Sequence, residues 1–237
     1  MLGSVTLVPV VGIPEVHPGD ELATLVLAAA EHQGTPLAAG DCVVVTQKVV
    51  SKAEGRLVPL AADDFVARRR LIETEAARVL RRRGDLMITE TRHGFVCANA
   101  GIDLSNVDDG WAALLPVDPD RSAKHIRDAL RARADIDVAV VISDTFGRAW
   151  RHGLTDVAIG VSGIAAVLDL RDSLDERGRP LRVTEVAIAD EIAGAAELVM
   201  GKASGTPVAI VRGLDPSWFV DGSARALVRP ASEDLFR

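Results

Sequence analysis

The segment IDVAVVISD, residues 136–144, is an apolar run of strand length that is rich in valine and isoleucine. β-Branched side chains favour strands, and an uninterrupted apolar run is typical of a strand that is buried on both faces. The run ends on Asp144, and Gly147 follows shortly after it. We therefore predict a core strand over 136–144 that leads into an acidic loop, SDTFGR, at residues 143–148.

Similar strand signals occur on both sides of this segment. Strands or strand-rich segments are predicted for SVTLVPVV (4–11), DCVVVTQ (41–47), DLMITET (85–91), GFVCANA (94–100), DVAIGVSGIAAVLDL (156–170), RVTEVAIAD (182–190) and VAIVRG (208–213). Helices are predicted over 21–32, 63–83, 121–134 and 191–200. Because the two kinds of element alternate irregularly, we expect an α+β (mixed α/β) fold. The 237 residues suit a single domain over 1–237, or two closely joined lobes.

The segment 63–83 carries the clearest helical pattern in the chain. One face of the predicted helix has the apolar residues Ile72, Ala76, Val79 and Leu80. Gly84 follows and is expected to end the helix. Arginines crowd the same segment, and we interpret them as a solvated polar face in preference to a nucleic-acid contact.

Composition excludes several classes of protein. The net charge of −7 argues against binding to a nucleic-acid backbone, which requires a basic surface. No apolar stretch of the sequence approaches the length of a membrane span, and the N-terminal residues lack the basic region of a signal peptide, so a cytoplasmic protein is expected. Cys42 and Cys97 lie in apolar runs without zinc-site spacing, which predicts buried free thiols.

Two short acidic segments are candidates for a metal site. Asp144 follows a buried strand and precedes the hydroxyl of Thr145, and Asp103 lies in GIDLSN (101–106) with the amide of Asn106. Carboxylate and other oxygen ligands suit Mg²⁺ and Mn²⁺, which usually share them with substrate phosphates. Each aspartate is also compatible with a simple turn or a helix cap, and the local sequence alone favours a turn or cap over a metal ligand.

Basic and glycine-containing segments are candidates for phosphate binding. Lys48 and Lys52 follow the strand at 41–47 together with Gln47, although both lysines are also compatible with an ordinary solvated surface. The loop GKASGTP (201–207) is able to wrap phosphates with backbone N–H groups. The sequence has neither the GxxxxGK[ST] spacing of a P-loop nor a GxGxxG dinucleotide fingerprint.

Taken together, the motifs resemble one family, the coenzyme F420-0:L-glutamate ligases. The resemblance covers nearly the whole chain and is carried by VPVVGIPEV (8–16), VVVTQKVVSKAEGRLVP (43–59), TRHGFVCANAGIDLSNV (91–107), LLPVDPD (114–120), VVISDTFGRAWRHGLTDVAIGVSG (140–163), VTEVAIADEIAGAAELVMGK (183–202) and TPVAIVRG (206–213). The sequences of these motifs are most similar to those of the ligase domain of the actinobacterial bifunctional form, in which a nitroreductase-like, flavin-binding domain follows. ASEDLFR (231–237) falls about where that second domain begins, so we expect a ligase domain without it.

The resemblance implies an activity, cofactors and an assembly. GTP, coenzyme F420-0 and L-glutamate would give a γ-glutamyl-extended coenzyme, GDP and phosphate. It also implies Mg²⁺ or Mn²⁺, two per site, with a monovalent cation such as K⁺ as a further candidate. The fold implied is that of the F420 γ-glutamyl ligases, an unusual fold that forms an intertwined homodimer.

The resemblance also assigns roles to individual residues. Asp103 and Asp144 match ligands of the first divalent cation, Thr145 matches a contact of the second, and Lys52 joins the two aspartates as a catalytic group. The positions that match nucleotide-binding segments are Ile13, Pro14, Glu15, Val16, Gln47, Lys52, Asn106, Met200, Gly201, Lys202, Ala203, Ser204, Gly205 and Thr206. Lys48 is a further candidate for this site because of its charge and its place after the strand at 41–47. The chain departs from archaeal-type members at Lys202, where they carry an acidic metal ligand.

Two other functions stay open at this point. One is a related GTP-dependent amide ligase that acts on a different acid. The other is a non-catalytic or regulatory nucleotide-binding module that serves a redox partner. No residue of the sequence stands out as the base that would take a proton from the glutamate amine.

Overall fold

The computed structural model describes residues 3–235. The strands are β1 (Thr6–Pro9), β2 (Cys42–Thr46), β3 (Leu57–Pro59), β4 (Ala76–Arg83), β5 (Leu86–Thr91), β6 (Val96–Ala98), β7 (Trp111–Ala113), β8 (Ala139–Arg148), β9 (Arg151–Ser162), β10 (Leu168–Asp169), β11 (Glu185–Val186) and β12 (Val208–Arg212). The α-helices are α1 (Leu22–His32), α2 (Gln47–Ala53), α3 (Phe65–Glu75), α4 (Pro119–Ala134) and α5 (Ile188–Met200). Short 3-10 turns occur at Asn99–Gly101, Pro216–Trp218, Ala224–Leu227 and Ala231–Glu233. The predicted α+β class is confirmed.

A five-stranded sheet in the order β1-β12-β2-β8-β9 forms the centre of the fold. The pair β2–β8 is parallel, with Cys42 opposite Ala139 and Thr46 opposite Ser143, whereas the other pairs of this sheet are antiparallel. Because parallel strands end at the same edge, the segment after Thr46 lies beside the segment after Ser143. This edge places the start of α2 next to Asp144.

The main hydrophobic core is built around the central strands. The apolar side chains of β2 and the first half of β8 are buried, as expected for strands that are covered on both faces. Helix α4 packs against β8 and β9, and α5 packs against β9 and β12. Helix α4 begins at the cap residue Asp118, whose carboxylate accepts a hydrogen bond from the backbone N–H of Arg121.

A second, smaller cluster of buried side chains lies under α3 and the short sheets β4-β5-β6 and β3-β7. Its members are Leu60, Ile72, Met87, Ala100, Ile102, Ala112 and Leu114. Cys42 and Cys97 are buried free thiols, as predicted. Within residues 3–235, no helix has the length and apolar character that crossing a membrane requires.

The single helix predicted over 63–83 is wrong in its second half. Helix α3 ends at Glu75, and β4 continues as the first strand of a hairpin with β5. A two-residue turn at 84–85 joins the strands, and Gly84 adopts φ +58°, so this glycine makes a hairpin turn and does not cap a helix. The pairing with β5 decides the conformation, and an exposed ion pair between Arg78 and Glu90 (2.7 Å) accompanies it.

The prediction that the strand at 136–144 ends on Asp144 is also wrong. Strand β8 runs to Arg148 because β9 pairs with it along its whole second half, with Asp144 opposite Val157. A register shift between Ile142 and Ser143 marks the point where the strand leaves the core. The segment SDTFGR is therefore strand and not loop.

Candidate functional site

A cavity of about 480 Å³ opens at the edge where β2 and β8 emerge from the core. Its walls come from segments that are far apart in the sequence. The lining residues are Ile13, Pro14, Glu15, Val16, Thr46, Gln47, Lys48, Val49, Lys52, Asp103, Asn106, Ser143, Asp144, Thr145, Asp156, Glu197, Gly201, Lys202, Ala203, Gly205, Thr206 and Pro207. The structure thus brings every predicted site residue to one cavity, apart from Met200 and Ser204.

Helix α2 delivers the predicted amide and lysines to this cavity. Gln47 is almost fully buried, and its Nε2 donates to Ser51 Oγ (2.6 Å) and to the carbonyl oxygen of Leu114 (3.0 Å). Within residues 3–235, Gln47 Oε1 is buried and has no hydrogen-bond partner. A buried acceptor without a donor is costly, so this oxygen suits a ligand that brings an N–H or O–H group. One turn later, Lys52 forms an ion pair with Glu15.

Asp103 is held by a lysine and by its own turn. Lys48 Nζ lies 2.9 Å from Asp103 Oδ2, and both the backbone N–H and the hydroxyl of Ser105 donate to Oδ1 (2.7 and 2.8 Å). Burial alone would raise the pKa of Asp103, but the hydrogen bonds and the charge of Lys48 outweigh it and lower the pKa. Asp103 therefore forms the simple turn with Ser105 and also lines the cavity with its carboxylate.

Asp144 has the opposite electrostatic environment. Burial raises its pKa to about 7, and the negative charges of Asp103 and Asp156 add to the increase, although a hydrogen bond from the Thr145 backbone N–H opposes it. Within residues 3–235, no Lys, Arg or His nitrogen lies within 4 Å of this carboxylate. A half-buried carboxylate that lies near other carboxylates and has no basic side chain within 4 Å is a natural position for a cation.

The raised pKa of Asp144 predicts that, without a bound cation, this residue lowers the free energy of unfolding in a pH-dependent way. The folded state holds the Asp144 proton up to about pH 7, whereas an unfolded aspartic acid releases it near pH 4, so this group lowers stability as the pH rises through that interval. We expect Asp144→Asn to be more stable than the unsubstituted protein by roughly 1–2 kcal/mol at pH 8, with no difference at pH 4. Urea denaturation in chelator at both pH values measures this, and a gain independent of pH would contradict it.

Asp156 was not predicted from the sequence, although it lies in the same site. It faces Thr145 across the β8–β9 pair, and its carboxylate accepts hydrogen bonds from Thr145 Oγ1 and from Ser143 Oγ (2.9 Å). Lys202 Nζ lies 3.4 Å from its Oδ1. The available signal was the repeated pattern of an apolar run beside an aspartate, in IDVAVVISD and again in TDVAIGVSG, which is what a hairpin of two core strands requires.

The loop after α5 supplies the last wall of the cavity. Gly201 and Gly205 adopt positive φ values of +62° and +69°, which a side chain would disfavour. Met200 is buried in the main core, and the Ser204 hydroxyl donates to the Met200 carbonyl oxygen. These two residues therefore support the loop from outside the cavity. Glu197, a second acidic residue that sequence reasoning missed, lines the cavity from α5.

The donor set fits a divalent cation that is completed by a substrate. Asp103 and Asp144 offer carboxylates and Thr145 offers a hydroxyl, all on one cavity. In the described part of the chain, no group of three or more His, Cys, Asp or Glu side chains is arranged to hold a metal by itself. Mg²⁺ typically binds through one or two carboxylates together with phosphate oxygens, so these residues match that mode of binding.

Comparison with known proteins shows which family this sequence is similar to. The sequence model of a family described as F420-0:Gamma-glutamyl ligase matches residues 11–213. A protein of Methanothermobacter thermautotrophicus named coenzyme F420:L-glutamate ligase is 43% identical over 249 residues, covering 98% of this chain and 99% of that protein. Proteins with the same name from Methanopyrus kandleri (44% over 241 residues, 94% of each chain) and Methanocaldococcus jannaschii (41% over 217 residues, 85% and 86%) are also similar.

Proposed function

The chain belongs to the F420-0:gamma-glutamyl ligase family, and from this premise we propose that it joins L-glutamate to coenzyme F420-0 at the expense of GTP. The observation that carries the proposal is the cavity itself, where aspartates, lysines and a glycine-containing loop meet at one edge of the sheet. Such a mixture of charges suits a polyphosphate with its cation. It is less suited to an uncharged ligand, which an apolar pocket would bind better.

In the proposed reaction, the γ-phosphoryl group of GTP moves to a carboxylate oxygen of F420-0 and GDP leaves. The amine nitrogen of L-glutamate then attacks the acyl carbon of this acyl phosphate. The new C–N bond forms, the C–O bond to phosphate breaks, and the amine loses a proton. Phosphoryl transfer of this kind depends mainly on positioning and on neutralisation of charge.

We assign roles in this reaction to individual residues of the cavity. Asp103 and Asp144 would hold Mg²⁺ or Mn²⁺, with the Thr145 hydroxyl beside them. The bound cation would neutralise charge on the phosphoryl oxygens. Lys52 and Lys48 carry ammonium groups that bind phosphate oxygens once they leave their carboxylate partners.

The rest of the cavity would bind the nucleotide. Gln47 Oε1 is a buried acceptor that an N–H or O–H group of the nucleotide would satisfy. Residues 13–16, 201–203, 205 and 206 line the same space as the lysines. Backbone N–H groups of glycine-containing loops bind phosphates well because no side chain blocks their approach.

We also propose a homodimer. The hairpin that joins β8 to β9 exposes Trp150 and Leu154, and the segment between β10 and β11 exposes Leu174 and Val183. Exposed large apolar side chains occur on surfaces that bind another protein chain.

A ligation assay tests the proposed function. The chain is incubated with F420-0, L-glutamate, GTP and Mg²⁺, and mass spectrometry is expected to detect a product heavier by one glutamyl unit. EDTA should stop turnover, and added Mg²⁺ or Mn²⁺ should restore it, because the carboxylates need a cation to bind the phosphates productively.

The same assay separates the alternatives. GTP turnover that requires a different acid would identify a related amide ligase. No GTP turnover with any acid would favour a non-catalytic nucleotide-binding module. Turnover that is unchanged in excess EDTA would contradict the assigned role of Asp103 and Asp144.

A further inference from the structure

Asp156 is enclosed by donors on both of its oxygens. Its side chain is only 2% exposed, and its carboxylate accepts from Ser143 and Thr145 while Lys202 approaches Oδ1 at 3.4 Å. A buried carboxylate requires a compensating positive charge, and Lys202 is the basic group within reach among residues 3–235. The negative charge of Asp156 is therefore already compensated by the ammonium group of Lys202.

Each lysine of the cavity is paired with a carboxylate, whereas Asp144 and Glu197 have no basic side chain within 4 Å in the part of the chain that the structure describes. Lys48 lies 2.9 Å from Asp103, and Lys52 is paired with Glu15. Asp144 is therefore the aspartate of the cavity whose charge a bound cation would compensate, whereas Asp156 is already paired with the Lys202 ammonium group.

Lys202 is suited to a role beyond this ion pair. Its side chain is 59% exposed, and it lies on the loop between Gly201 and Gly205 that lines the cavity. Three N–H donors on a flexible stem allow one ammonium group to contact a carboxylate and a phosphate together. The long contact to Asp156 leaves room for such sharing.

Thr145 lies next to Asp144 in the chain and is hydrogen-bonded to Asp156. Its hydroxyl proton is directed to Asp156, which leaves the lone pairs of Oγ1 available to a cation or to water. Asp156 therefore fixes the orientation of Thr145 and the position of Lys202 at the same time. Both effects depend on a carboxylate at 156, because an amide would offer only one acceptor oxygen.

We infer that Asp156 is a positioning residue that holds Lys202 over the nucleotide, and that the Lys202 ammonium takes the place of a second divalent cation. The enzyme would then use one divalent cation per nucleotide, and not the two that the family resemblance implies. This inference rests on the proposed function, because it assumes that the cavity binds GTP.

Counting Mn²⁺ tests the inference without measuring turnover. The protein is saturated with a non-hydrolysable GTP analogue and titrated with Mn²⁺, and bound ions are counted by electron paramagnetic resonance. The unsubstituted protein is expected to bind one Mn²⁺ per analogue. Lys202→Glu is expected to bind two, because the new carboxylate joins Asp156 and Glu197 on the same wall of the cavity. Lys124→Glu, a matched reversal of an exposed lysine outside the cavity, should keep the count at one.

The outcomes distinguish the inference from the function it rests on. Two Mn²⁺ ions in the unsubstituted protein, or an unchanged count in Lys202→Glu, overturn the inference and leave the proposed function standing. If no form of the protein binds the analogue, the proposed function fails and the inference fails with it.

A double-mutant cycle tests the positioning role of Asp156. Asp156→Asn is expected to weaken binding of the analogue about 10-fold when Lys202 is present, and by less than about twofold in a Lys202→Ala background, because coupled residues are non-additive. Equal losses in both backgrounds would show that Asp156 only supports the fold, and would overturn its positioning role.

Discussion

Asp144→Asn is expected to lose ligation by at least roughly 100-fold while keeping the fold, because asparagine preserves the shape of the side chain and removes its charge. The half-buried Asp144 carboxylate has no basic side chain within 4 Å among residues 3–235, so the substitution removes the charge that would bind the cation. Steady-state rates from the mass assay at saturating Mg²⁺ measure the loss. Far-ultraviolet circular dichroism checks that the fold remains.

Asp128→Asn is the matched control for this substitution. Asp128 is exposed on α4, where it forms an ion pair with Lys124 (2.6 Å), and surface pairs of this kind contribute little to stability. Its activity should equal that of the unsubstituted protein within about twofold. Full GTP-dependent activity in Asp144→Asn would exclude this residue from cation binding.

Gly160→Ala is expected to lower the free energy of unfolding by about 3 kcal/mol or more. Gly160 lies in β9 where α4 begins, and an added Cβ would stand 2.3 Å from the carbonyl oxygen of Pro119. Backbone atoms cannot rotate away as a side chain does, so the helix and the sheet would have to separate. Urea denaturation measures the change.

Gly147→Ala provides the comparison within the same hairpin. A Cβ at Gly147 would meet only Leu154 Cδ2 at 3.9 Å, which is ordinary van der Waals contact. We expect a change of less than about 1 kcal/mol for this variant. If Gly160→Ala were equally mild, the close approach of α4 to β9 would not be needed for stability.

The sequence predicted the elements whose conformation is determined by their own residues. The apolar runs in β2 and β8 contain mostly β-branched side chains, and such runs satisfy their backbone only within a sheet. Helix α4 was predicted over 121–134 from the helical period of its apolar residues, and the structure adds its first turn, in which Asp118 is the cap and Pro119 the first residue.

The predictions that failed concern segments whose conformation depends on a distant partner. Residues 76–83 have side chains that are compatible with a helix, and only the pairing with Leu86–Thr91 makes them a strand. In the same way, the local sequence predicts that the strand ends at Asp144, and only the pairing with β9 shows that it continues. Local patterns contain no information on which segments pair.

The candidate site follows the same rule. Asp103 and Lys48 are adjacent in space at 2.9 Å, yet nothing in their local sequences places them together. The family resemblance assigned roles to most of the cavity residues, but it assigned none to Asp156 or Glu197. Asp156 joins the site through the pairing of β9 with β8, and Glu197 joins it from α5, which packs against β9 and β12.

The parallel pairing of β2 with β8 has a consequence for how the protein acquires activity during synthesis. Cys42 pairs with Ala139, so the two strands meet only after a long intervening chain has been made, and Glu15 and Lys202 join the cavity from still more distant positions. Closing such long loops costs entropy before any contact repays it, so folding is expected to be slow relative to helical proteins of this size. A nascent chain that ends before β8 would therefore contain Lys48, Lys52 and Asp103 without an assembled cavity, and activity is expected only once the sheet is complete.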